Sequence, residues 1–118
     1  QILERLIQEF GINEGFMLMA RNIALYHNER YDGGGYPYGH DGDHIPLEAR
    51  TFSICDAYDA LTSKRPYKEP YSHETALKII VSESGKHFDP DIVEAFVECQ
   101  NEIREARGAF SCKGILEI

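Results

Sequence analysis

Between Arg30 and Ile45 the chain loses all regular periodicity. Glycine stands at 33, 34, 35, 39 and 42, Pro37 follows Tyr36, and Asp32, Asp41 and Asp43 fill much of the remainder. Neither the alternation of a strand nor the repeat of a helix can run through such a stretch. Connections in compact domains are usually shorter, so the length of this loop points to function rather than to mere linkage. Helical patterns stop at it on both sides, and any fold must present the loop at the edge of a helical body.

Those patterns predict an all-α bundle of about five helices, with no strand signal of useful length. Ile2, Leu3, Leu6, Ile7 and Phe10 form one stripe, closed by Gly11. Asn13 caps a second helix with Phe16, Ala20, Ile23, Ala24 and His27 on one face, so His27 is expected to point inward. Pro46 suits the first turn of a third helix, where Leu47, Ile54, Tyr58 and Leu61 make one stripe and Phe52, Asp56, Asp59 and Ser63 an adjacent one. Ser72 caps a fourth helix through Ile79, Ile80 and Val81, stopped by Gly85. Asp89-Pro90 opens a fifth that carries Ile92, Val93, Phe96, Val97 and Ile103 inward. Residues 1–107 read as one domain portion and 108–118 as a loose tail. The helical pattern begins at Gln1 with no cap before it, which reads as a piece whose upstream part is missing.

With 118 residues, 42% of them hydrophobic, the chain can bury one modest core. A net charge of −8 argues against a general nucleic-acid or anionic-membrane surface, since such partners need distributed positive charge. Any phosphate must be met locally, and Lys64, Arg65 and Lys68 form the one basic cluster. No apolar run approaches the roughly 20 residues of a membrane span. Cys55, Cys99 and Cys112 lack Cys-x-x-Cys spacing, so reduced, partly buried thiols and a cytoplasmic setting are expected.

Three familiar motifs fail. Tyr38 stands where a dinucleotide fingerprint needs its third glycine, Ile45 occupies a ligand position of a calcium loop, and no nucleophile is marked by a neighbouring base. His27 and Asp56 suit a first-row divalent metal, yet two ligands make a poor site. The plainer readings are a hydrogen-bonded core histidine, and carboxylates at 56 and 59 paired with Arg50, Lys64 or Arg65.

Four blocks stand out in order: YHNERYDGGGYP, GDHIPLEAR, CDAYDALTSKRPYK and ESGKHFDP. Their succession resembles the HD-GYP domain, a branch of the HD metal-dependent phosphohydrolases that hydrolyses the bacterial messenger cyclic di-GMP. The resemblance runs from about Ile2 to Phe96, and Gly35-Tyr36-Pro37 matches the tripeptide that names the family. It implies a partial HD-domain fold in which His27 and Asp56 are ligands of a two-metal site, iron or manganese. Arg65 and Lys68 match positions that contact substrate phosphates, and Gly35 and Tyr36 belong to the substrate-facing loop. Asn28 and Asp59 would then neighbour the ligands. The family's upstream His-Asp pair has no counterpart among the residues before His27, none of which is histidine or aspartate, so no complete catalytic set is expected here and the chain alone should be inactive. Asn28 replaces a second adjacent histidine, and an amide is the weaker ligand, which argues against a third metal. A diguanylate cyclase domain is a further partner that the resemblance implies, through the Gly-Tyr-Pro loop. The competing reading is a degenerate module that binds nucleotide or protein without hydrolysis.

Overall fold

The computed structural model describes residues 5, 8, 9 and 14–113, with side chains to residue 107. Helices run Glu14–Tyr26 (α1), Leu47–Thr62 (α2), His73–Ser82 (α3), Pro90–Glu98 (α4) and Gln100–Lys113 (α5), with one turn of 3-10 helix at Gly42–His44. The all-α expectation holds: among the described residues the extended pairings are two isolated bridges, Arg65 with Lys68 and Ser84 with Phe88. The stripe expected over Ile2–Phe10 lies outside the described residues.

Cap chemistry explains several boundaries. Ser72 accepts a hydrogen bond from the Thr75 amide, and Asp89 accepts from the Asp91 amide with Pro90 at the first helical position. Gly85, at φ +79°, makes the turn between α3 and α4. Pro46 takes the N-cap position of α2 rather than its first turn.

One expectation about the last helix is corrected. It is interrupted at Cys99, whose φ of −95° and ψ of 9° end α4 before α5 begins. The second helix then runs from Gln100 to Lys113. Ile103, on α5, still packs against the core, so the break redirects the chain without detaching it.

The core gathers Ile54 and Tyr58 from α2, Ala76 and Ile80 from α3, Phe88 from the turn, and Val93 and Phe96 from α4. Helix α1 lies outside this cluster, docked on α2 through a hydrogen bond of 2.9 Å from the Asn22 amide to Glu48. Its inward residue is Met17, whereas Phe16 and Ala24 are exposed, contrary to the predicted stripe. Leu47 and Val81 are exposed as well, and so are Cys55 and Cys99, where partial burial was expected. Among the described residues no helix is long and apolar enough to cross a membrane.

Candidate active site

The site is organised by how α1 hands over to the glycine-rich loop. His27 directly follows the last residue of α1, and its ring Nδ1 lies 2.8 Å from the Ile23 carbonyl. A carbonyl can only accept, so Nδ1 carries the proton and Nε2 keeps its lone pair for a ligand. The ring meets Phe52 edge-on at 5.6 Å. Asp56 follows Phe52 by one turn on the same face of α2. Exposed, it makes no hydrogen bond or ion pair among the described residues.

Two residues later Glu29 turns inward. Only 2% exposed, its carboxylate accepts hydrogen bonds from the backbone amides of Tyr38 and His40. That draws the far limb of the loop over the end of α1, where Tyr38 and His40 stack with ring centres 5.3 Å apart and Tyr26 lies 5.4 Å from Tyr38. Sequence reasoning gave Glu29 no role. The available signal was an acidic residue placed between an inward histidine and a segment unable to form its own ladder.

Gly35 is required by space. A Cβ there would lie 2.5 Å from the Arg30 nitrogen and the Asn28 oxygen, and 2.6 Å from Glu29 Cα. The loop backbone thus crosses directly over residues 28–30. Tyr36, next in sequence, is 65% exposed, and its amide donates to the Asn28 carbonyl at 3.3 Å. Asn28 is also exposed.

The other edge of the loop is fastened to the turn before α4. Tyr31 and Asp32 donate their amides to the carbonyls of His87 and Lys86, at 3.1 and 2.9 Å. Arg30 bonds Asp32 through Nε and Nη2, each 3.2 Å, and Nη2 lies 3.6 Å from Glu83. The hydrogen bond from Arg30 holds the Asp32 carboxyl below its ordinary range. His87 stacks on Phe88 at 4.2 Å, and its pKa is lowered, first by burial and then by the Arg30 charge. No role for His87 or Arg30 was read from the sequence, although both lie in the matched blocks.

Beyond α2, Arg65 and Lys68 exchange backbone hydrogen bonds of 3.2 Å in each direction. Residues paired in this way project their side chains to one side. Arg65 has no side-chain partner among the described residues, while the Lys68 ammonium sits 4.5 Å from the centre of the Tyr71 ring. Asp59 is engaged elsewhere: Arg107 Nη1 bonds it at 3.1 Å and Ser63 Oγ at 3.2 Å. Its partner is thus none of the three cations proposed from sequence. Of these, Arg50 is taken up elsewhere: it bonds the Ile45 carbonyl and pairs with the buried Asp89.

An imidazole whose Nε2 and a carboxylate whose oxygens have no partner among the described residues fit a divalent cation in donor chemistry. Among the described residues no three His, Cys, Asp or Glu side chains come together to hold one. His27 and Asp56 would therefore supply part of a coordination shell.

A helical body with a long Gly-Tyr-Pro loop crossing over the residues that follow its first described helix defines a class. The HD domain family matches residues 10–92, and the chain belongs to that family, a family of metal-dependent phosphohydrolases, with Gly35-Tyr36-Pro37 marking its HD-GYP branch. It is 47% identical over 102 residues to a probable cyclic di-GMP phosphodiesterase of Vibrio cholerae, covering 86% of this chain and 23% of that protein. It is 43% identical over 101 residues to a cyclic di-GMP phosphodiesterase response regulator of Xanthomonas campestris, covering 86% and 27%. A 3'3'-cGAMP-specific phosphodiesterase of Vibrio cholerae is 39% identical over 93 residues, covering 79% and 18%. The matched region is thus little more than a quarter of these relatives at most.

Proposed function

We propose that this chain is part of a cyclic di-GMP phosphodiesterase and contributes His27 and Asp56 to a two-metal site of iron or manganese. The observation that carries the reading is the fixed tautomer of His27 against Phe52, one turn from an Asp56 carboxylate that no described residue engages. When bound, divalent cations supply Lewis-acid polarisation of the phosphodiester and ease deprotonation of the attacking water. The chain's own residues do the rest. His27 is oriented by Ile23, Asp56 faces out from a helix anchored in the core, and Arg65 and Lys68 present two cations from one side of a tight turn. A guanidinium can meet a phosphate through two parallel donors, whereas the ammonium acts as a point charge.

Support comes also from the charge pattern. In a chain of net charge −8, Arg65 and Lys68 lie in the one basic cluster, and the Arg65 guanidinium, with no side-chain partner among the described residues, is open to an anion. The exposed Tyr36 lies on the same loop that would face substrate. Contact with a diguanylate cyclase domain, in a cytoplasmic signalling setting, rests on the family resemblance and would use this same aromatic rim.

The test uses the full-length protein that carries this segment. Asp56→Ala is expected to abolish hydrolysis of cyclic di-GMP and lower bound metal, and unchanged turnover with unchanged metal content would remove Asp56 from the site. Arg65→Ala is expected to weaken cyclic di-GMP binding by about 1.5–3 kcal/mol, the range for a charged hydrogen bond. Its unfolding free energy should move by no more than about 0.5 kcal/mol, because the turn is held by backbone rather than by the guanidinium. Lys68→Ala should weaken binding less. The non-hydrolysing reading predicts binding without turnover in the metal-loaded wild type.

A further inference from the structure

We infer that the cleft between the Gly-Tyr-Pro loop and the turn before α4 is a purine-base subsite, with His87 as its specificity-determining residue. This rests on the proposed function, and it assigns the base where that reading assigned only metal and phosphate. The cleft, about 250 Å³, is lined by Asn28, Arg30, Gly34, Gly35, Tyr36 and His87. Its two walls are locked together by the hydrogen bonds from Tyr31 and Asp32 to residues 87 and 86, so it is a built feature rather than a gap between loose segments.

Its chemistry suits a flat heteroaromatic ring. Tyr36 offers a ring with no aromatic neighbour among the described residues, and Gly34 and Gly35 leave one wall as bare backbone. Opposite, the imidazole of His87 is held in plane by stacking on Phe88, itself 3% exposed, and neither ring nitrogen has a hydrogen-bond partner among the described residues. Arg30 is clamped by Asp32 and Glu83 through Nε and Nη2, which leaves Nη1 unbonded. The cleft therefore combines a stacking surface with a free imidazole edge and one free guanidinium donor.

Charge decides between base and phosphate. Asp32 and Glu83 already balance Arg30, and a neutral imidazole attracts an anion weakly, so this cleft lacks the excess positive charge of the Arg65–Lys68 turn. The larger described clefts are walled almost wholly by apolar atoms and offer no edge to read. A purine presents one face for stacking and an edge of donors and acceptors. Guanine offers O6 as an acceptor to Arg30 Nη1 and its neighbouring N1–H as a donor to an imidazole nitrogen of His87, whereas adenine places an amino group where O6 would be and has no hydrogen on N1. The subsite should therefore prefer guanine. That choice matters because the relatives include enzymes named for cyclic di-GMP and for 3'3'-cGAMP, and these substrates differ in one purine base.

The experiment measures kcat and KM of the metal-loaded full-length protein on cyclic di-GMP and on 3'3'-cGAMP, for wild type, His87→Phe and Tyr36→Ala. Phenylalanine keeps the stack on Phe88, and Tyr36 is too exposed to support the fold; thermal unfolding checks both variants. His87→Phe is expected to raise KM for cyclic di-GMP about tenfold, the loss of one hydrogen bond to a buried partner, with kcat little changed and the preference for cyclic di-GMP reduced. Tyr36→Ala should raise KM for both nucleotides alike, since stacking is indifferent to the edge. If wild type hydrolyses cyclic di-GMP but both variants keep its KM within about twofold, the base subsite is overturned while the phosphodiesterase reading stands. If wild type hydrolyses neither nucleotide, both fall.

Discussion

Gly35 and Glu29 show how a loop without periodicity acquires a single shape. The Cβ that Gly35→Ala would add meets only backbone atoms of residues 28–30, which cannot swing aside as a side-chain tip can. That substitution is expected to destabilise by about 1–3 kcal/mol, read from urea unfolding, and a change near zero would mean the crossing is looser than described. Gly42 provides the contrast. Its φ is +51° but no atom lies within 4 Å of an added Cβ, so Gly42→Ala should suffer only backbone strain, about 1–2 kcal/mol. Glu29→Gln keeps one acceptor but turns an amide group toward the second backbone N–H. Amide exchange at Tyr38 and His40 should then accelerate, against unchanged exchange in the core of α2. The motif around Gly35 and Tyr36 was legible as letters, and so was the inward turn of His27. That Gly35 answers to the backbone of residues 28–30 was not, because a chain crossing leaves no mark in local spacing.

Helix α2 carries the most responsibilities, holding Asp56 exposed at its surface, Ile54 and Tyr58 in the core, and Arg50 against the start of α4. Arg50 bonds the Ile45 carbonyl at the loop's end and pairs with Asp89, which is 5% exposed and also caps α4. Arg50→Leu would leave a buried carboxylate without its charge partner. Breaking such a pair from one side costs about 3–5 kcal/mol, and denaturant unfolding showing less than about 1 kcal/mol would demote the pair to a surface contact. Local chemistry made much of this architecture legible: Ser72, Gly85 and Asp89-Pro90 act where their types predict. The break at Cys99 was not, since neither glycine, proline nor a capping side chain marks it and the apolar pattern runs on to Ile103. Asp59 shows the same limit. Its acidic character was plain, but its partner Arg107 lies on α5, and only the packing of α5 against the end of α2 brings them together.

The molecule as a whole is acidic, so lowering the pH has opposing effects that one variant can separate. Protonation reduces the self-repulsion of a net charge of −8, which by itself favours the folded state. His44 acts in the same direction, because Asp41 raises its pKa, and its stabilisation is therefore complete below the unfolded value of about 6.5 and lost as pH rises through the folded one. Both its partner and its ring are exposed, so this contribution is small. His87 opposes them. Burial first, and then the charge of Arg30, lower its pKa, outweighing the facing carboxylates of Glu83 and Asp32. Its neutral form is the one the fold accommodates, so its contribution is present above about pH 6.5 and is lost as pH falls through the depressed folded value. Glu48 and Asp32, both lowered by hydrogen bonds, begin to matter only below the ordinary carboxylate range near about pH 4.5. Unfolding free energies of wild type and His87→Gln, measured from about pH 7.5 to about pH 5, isolate the histidine because every other group is shared. The expected outcome is a wild-type stability that falls relative to the variant below about pH 6.5. Parallel curves across that window would show that His87 titrates alike in the folded and unfolded chain, and that its ring is open to water rather than held against Phe88 beneath the loop.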